Sequence, residues 1–160
     1  MANVIKLRKG LDINLIGCAQ EQLLPVKPSK EYALVPDDFT GLTPKVVVRE
    51  GDHVRAGDPL FVDKGCPEVS FASPVSGSVT SVERGERRKV LRVKVVADEQ
   101  QEFVDFGIKD LAGLSADEVK DCLLKAGLFG FINQLPYAVS TRPDTTPKAI
   151  FVSALRDKPL

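Results

Sequence analysis

Four glycine-centred turns punctuate residues 46–82: Glu50-Gly51-Asp52, Ala56-Gly57-Asp58, Lys64-Gly65 and Ser76-Gly77. Glycine removes the steric penalty where a tight turn needs positive φ, and the valines between the turns favour pleated, half-buried backbone. Short strands with a turn every few residues imply a closed or sandwiched antiparallel architecture rather than a βαβ fold. The stretch therefore reads as a small all-β module with a hairpin protruding near Asp63-Lys64.

The flanks extend this pattern. Residues 4–16 alternate apolar and polar positions on both sides of Lys9-Gly10, the signature of a hairpin with one buried face per arm. Pro25 and Pro28 make residues 18–30 a loop or edge segment, because proline cannot donate to a sheet ladder. Residues 32–35 read as a short strand and 36–44 as turns. Within the module, 46–49, 53–54, 60–63, 68–72, 77–83 and 90–96 are the strand candidates, and the charged stretch 84–89 reads as a solvated turn in preference to a docking patch.

Composition shifts after the last strand. Residues 98–105 are acidic and polar with Phe103 as an apolar anchor, joined by Phe106 just beyond, and 107–113 reads as a linker. A helix is expected from Ser115: Ser115 and Glu118 have capping-box spacing, Leu114 and Val119 can staple, and Gly127 sits where a left-handed C-cap belongs. Val119, Leu123 and Ala126 form its apolar stripe, which must cover the β-module or a neighbouring domain. Residues 128–135 fit either a further helical turn or an extended connection. The apolar run 149–155 reads as a strand buried on both faces, implying that the chain stops just inside a further domain.

Several function classes lose support on composition. Of 160 residues, 43% are hydrophobic, enough for an ordinary core, and 22 basic against 22 acidic residues give no bulk field for nucleic acid or a membrane surface. No apolar run approaches the roughly 18 residues of a membrane span, and the start lacks the pattern of a signal peptide, so a soluble chain is expected. Cys18, Cys66 and Cys122 are isolated, His53 is the only histidine, and reduced thiols acting as small hydrophobes are the simplest reading. Glu50, Asp52, Asp58 and Asp63 could form a carboxylate site, but three of them flank glycine turns, where aspartate caps its own backbone. No nucleotide or nucleophile motif is present, so catalysis by this chain alone is not expected.

The pattern EGDHVRAGDPLFVDKG followed by EVSFASPVSGSV resembles the biotinyl/lipoyl-carrier fold, a barrel-sandwich hybrid of two interlocked β-halves. In carriers of lipoate the modified lysine follows an aspartate at a hairpin tip, so the resemblance makes Lys64 the candidate carrier lysine. Its surroundings differ, however: Gly65-Cys66-Pro67 follows where carriers have an apolar pair, and Leu60-Phe61-Val62 lacks the acidic lead-in. A solvated turn lysine on a borrowed scaffold is the preferred reading.

A longer resemblance covers essentially the whole chain. IKLRKGLDINLIG, GLTPKVVVREGDHVRAGDPLFVDK, ASPVSGSVTSVERGERRKVL and TPKAIFVSALRDKPL are similar, in order, to the N-terminal portion of the A subunit of the Na+-translocating NADH:quinone oxidoreductases (Na+-NQR). This resemblance implies a mainly β protein with a small α component (α+β). Its parts would be a barrel-sandwich hybrid module over 1–107, a helical connector over 108–147, and from 148 to 160 the first strand of a truncated Rossmann-like domain.

It also implies a peripheral position on the cytoplasmic face of the bacterial inner membrane, bound to the other subunits of a complex. That complex passes electrons from NADH through flavins and iron–sulfur centres to ubiquinone and exports Na+. The A subunit would carry no covalent cofactor, no catalytic residue and no metal site, and would act as a scaffold, although the family's A subunit is also associated with quinone reduction, which makes ubiquinone a candidate partner. The alternatives are a lipoyl- or biotin-type carrier, a related electron-transport subunit, or a freestanding binding module. The family's connector is usually basic where this chain has Asn133-Gln134-Leu135-Pro136-Tyr137, so no site is carried through that segment.

Overall fold

The computed structural model describes residue 16, residues 22–107 and residues 110–152. The hairpin expected over 4–16, apart from residue 16, and residues 153–155 of the apolar run 149–155 lie outside them. Among the described residues nine strands and one α-helix follow in order: β1 (Glu31–Leu34), β2 (Pro44–Val46), β3 (His53–Val54), β4 (Pro59–Asp63), β5 (Cys66–Ala72), β6 (Gly77–Arg84), β7 (Val90–Ala97), α1 (Ala116–Lys125), β8 (Asn133–Gln134) and β9 (Val139–Ser140). Pro28–Ile150 form one compact unit. In the other unit, residues 22–27 lack regular secondary structure and expose Leu23, Leu24 and Val26.

Two antiparallel sheets make the β-module, one in the order β1-β7-β6-β3 and the other β2-β4-β5. The sequence Arg-x-Gly-Asp occurs twice, and each copy folds into the same turn. The Arg49 N–H donates to Asp52 Oδ2 at 2.7 Å, and the Arg55 N–H to Asp58 Oδ2 at 2.8 Å. The intervening glycines hold φ of +91° (Gly51) and +105° (Gly57), conformations that a side chain strains.

Each turn then grips a buried residue through a reciprocal pair of backbone bonds. Gly51 N–H donates to the Val79 carbonyl and Val79 N–H to that of Asp52, both at 2.8 Å. Gly57 N–H donates to the Ser73 carbonyl at 2.9 Å and Ser73 N–H to that of Asp58 at 2.8 Å. The turns that break the strands thus stitch the two halves together.

Val54, Leu60, Phe61, Val69, Phe71, Val79, Val90, Val93, Val95 and Phe129 form the core. Leu60 and Phe61 are consecutive yet both fully buried, because the β4–β5 register shifts between Pro59 and Phe61. Phe71 stacks on Phe61 with centroids 5.1 Å apart and meets Phe39 at 4.3 Å, and Phe39 meets Phe131 edge-on at 5.0 Å. Residue 103 departs from expectation: Phe103 bridges to Ala56 through its backbone, but its side chain is 71% exposed and anchors nothing in the core.

The helix begins as its sequence predicts. Ser115 accepts from the Glu118 N–H, and Glu118 accepts from the Ser115 N–H at 2.9 Å, completing the capping box. Gly127 at φ +67° follows the C-terminus. Leu123 and Leu124 pack on the core, and Ser70 Oγ donates to the Leu124 carbonyl at 3.5 Å, so the apolar stripe covers β5 of the β-module. Residues 128–135 resolve into a 3-10 turn, Phe129–Phe131, followed by β8.

Residues 149–152, the described part of the run 149–155, depart from expectation as well. They form no strand, and Ile150, Phe151 and Val152 are more than three-quarters exposed.

Gly130 lies directly on the Phe71 ring, where an added Cβ would come within 2.5 Å of a ring carbon. Phe71 is fully buried and has no room to retreat. Gly130→Ala is predicted to destabilise the fold by about 1–3 kcal/mol through overpacking, read as a lower urea midpoint. An unchanged midpoint contradicts close seating of Phe129–Phe131 on β5.

Candidate functional site

The β4–β5 hairpin places its tip at Lys64-Gly65, and Lys64 is exposed there, as the sequence implies. The preceding residue behaves differently. Asp63 is only 4% exposed, although its carboxylate closes a solvent-facing turn. A buried carboxylate is costly unless hydrogen-bonded and paired, and Asp63 is both. Its Oδ1 accepts from the N–H groups of Thr43 at 3.3 Å and Gly65 at 3.1 Å, and its Oδ2 accepts from Arg142 Nη2 at 3.2 Å. The Lys64 N–H donates to the Thr43 carbonyl at 2.7 Å, tying the tip to the start of β2.

Arg142 arrives from 79 positions away. The β8–β9 hairpin positions it through three bonds: Ser140 N–H to the Thr40 carbonyl at 3.0 Å, Thr141 N–H to that of Ile132 at 2.8 Å, and Thr145 N–H to that of Arg142 at 3.0 Å. Lys120 Nζ donates to the Pro143 carbonyl, which ties the same segment to α1. The guanidinium lies close over the turn, since a Cβ on Gly65 would meet Arg142 Nη2 at 2.9 Å. Glycine at the tip leaves room for the arginine.

The other acidic candidates do not converge. Asp52 and Asp58 cap their own turns, and Glu50 Oε1 accepts from the Val82 N–H at 3.0 Å. Burial acts to raise the Asp58 carboxyl, but hydrogen bonds from the Arg55 side chain and backbone outweigh it, and the group lies below the usual range. His53 Nε2 meets Asp98 Oδ2 at 2.8 Å in an exposed pair. Among the described residues no three His, Cys, Asp or Glu side chains are grouped to hold a metal ion, and no helix is long and apolar enough to cross a membrane. Sequence reasoning missed Arg142, for nothing in Thr-Arg-Pro marks a partner so distant in the chain.

Two interlocked sheets with a protruding β4–β5 hairpin define a barrel-sandwich hybrid of the carrier-protein kind, here with its tip fastened by a later segment. Residues 5–98 match the family model of the NqrA N-terminal barrel-sandwich hybrid domain, and residues 114–160 match that of the NqrA second alpha/beta domain. The chain belongs to the NqrA family. Relatives named as the A subunit of Na(+)-translocating NADH-quinone reductase are 37% identical over 160 residues in Pseudomonas aeruginosa, 38% over 162 in Serratia proteamaculans and 39% over 160 in Klebsiella pneumoniae. Each alignment covers 98% of this chain and 36% of the relative, so the chain spans about a third of their length.

Removing the Arg142 guanidinium leaves a buried carboxylate held by two N–H donors. Arg142→Ala is predicted to lower stability by about 1–3 kcal/mol, measured by chemical denaturation. Arg142→Lys recovers only part of the loss, because the shorter lysine side chain reaches less far than the Nη2 that meets Asp63 Oδ2. Wild-type stability in Arg142→Ala contradicts the pinned tip.

Proposed function

We propose that this chain is the N-terminal part of the A subunit of a Na+-translocating NADH:quinone reductase and serves there as a rigid assembly platform. The observation that carries this reading is similarity along 98% of the chain to proteins of that name. The complex would pass electrons from NADH, through flavins and iron–sulfur centres in its other subunits, to ubiquinone, coupled to Na+ export. This chain would contribute no cofactor and would sit peripherally on the cytoplasmic face of the membrane, held by neighbouring subunits.

The hairpin tip supports a scaffold rather than a carrier. Lys64 occupies the place of a carrier lysine, but a swinging arm works from a tip free to visit distant sites. Here Asp63, Thr43 and Arg142 bind that tip to the rest of the chain.

The test uses the full-length protein in its native host. Affinity-tagged protein isolated from detergent-solubilised membranes is expected to bring with it a multi-subunit complex with Na+-stimulated NADH:quinone reductase activity. Deleting the gene is expected to abolish that activity. Isolation of the tagged protein without partners, or a deletion that leaves quinone reduction intact, overturns the proposal.

A further inference from the structure

The β6–β7 connection breaks a local rule without a structural return. Arg87 has φ +53° and Arg88 φ +61°, and the Lys89 N–H donates to the Glu86 carbonyl at 3.1 Å. Two consecutive central residues at positive φ are the mark of a type I′ hairpin turn, where Asn-Gly is relaxed and long side chains are strained. Both arginines are exposed, and among the described residues neither side chain is in an ion pair or hydrogen bond. Strain held in place by surrounding structure is a feature of functional surfaces.

The surroundings fix the turn and leave these two charges free. The Gly85 N–H donates to the Lys89 carbonyl at 2.8 Å, and Arg84 Nη1 donates to the Arg88 carbonyl at 3.3 Å. Lys89 pairs with Asp37 at 2.6 Å. Glu83 takes both Arg92, at 2.6 Å, and Lys94, at 2.9 Å. Beside the turn, Leu91 is 40% exposed and packs along Gly85, placing apolar surface next to the free charges.

We propose that the β6–β7 turn docks carboxylates on the surface of a neighbouring protein subunit, with Arg87 and Arg88 as the contact residues. Two guanidiniums on an ordered turn suit bidentate carboxylate recognition, for which arginine is the preferred residue. A lipid surface is the poorer fit, because Lys89, Arg92 and Lys94 are already paired with Asp37 and Glu83, which leaves fewer free charges than the about four to eight Lys or Arg of membrane-binding basic clusters. The proposal rests on the reading of the chain as part of a complex and specifies one face of that assembly.

The test replaces the pair with the relaxed turn sequence, Arg87→Asn with Arg88→Gly, in the tagged full-length protein. The variant is expected to melt higher by about 2–5 °C, as turn strain is released. It is also expected to show about tenfold lower retention of the complex in a salt wash that the wild type survives. Equal retention, or a lower melting temperature, overturns the inference. So does wild-type binding to phosphatidylglycerol vesicles that the variant lacks, which would assign the turn to lipid. If the wild type brings no complex, membership of the complex falls too; if it does and the variant does equally, only the docking turn falls.

Discussion

A carboxylate with 4% exposure cannot stand unpaired in a protein interior, and Asp63 is such a group at the end of a hairpin. Its partners come from three separate stretches of chain: the Thr43 N–H before β2, the Gly65 N–H in its own turn, and the Arg142 guanidinium beyond the helix. Satisfying this one side chain therefore requires the first strands, the hairpin and the connector to be in place together. Glycine at position 65 is part of the same requirement, since a side chain there would contest the space Arg142 occupies.

The rest of the module is rigid for related reasons. Each Arg-x-Gly-Asp turn caps itself with its aspartate and clasps a buried residue elsewhere in the module, Val79 on β6 in one case and Ser73 just after β5 in the other. Gly77 permits β6 and β7 to approach so closely that an added Cβ would fall 1.9 Å from the Val96 carbonyl oxygen. Gly130 does the same for the connector against Phe71. Helix, 3-10 turn and β8–β9 hairpin thus extend the core as they run on from the β-module.

Local signals were legible in the sequence where a residue acts on its own backbone. The turns at Gly51 and Gly57, the Ser115–Glu118 capping box and the hairpin tip at Lys64 follow from short-range chemistry and stand where expected, whereas Gly77 opens β6 instead of a turn and the strand expected over 46–49 lies at Pro44–Val46. Long-range partners were not legible. Asp63 and Arg142 carry no mark of each other, and Phe103 read as an anchor because its hydrophobicity says nothing of which face it takes. Residues 149–152 read as part of a buried strand and form none, since an apolar run does not by itself fix secondary structure. The Arg87-Arg88 pair read as an ordinary solvated turn, since residue type alone does not reveal positive φ at two successive positions.

A borrowed carrier fold with a fastened tip is the physical basis for reading this NqrA-family chain as a platform. The most direct test is the backbone mobility of Lys64 and Gly65 by amide relaxation in solution. A pinned tip predicts order parameters of about 0.85, matching the strands on either side. Values below about 0.6 at these two residues, with rigid flanks, would describe a free carrier-type hairpin and contradict the pinned platform.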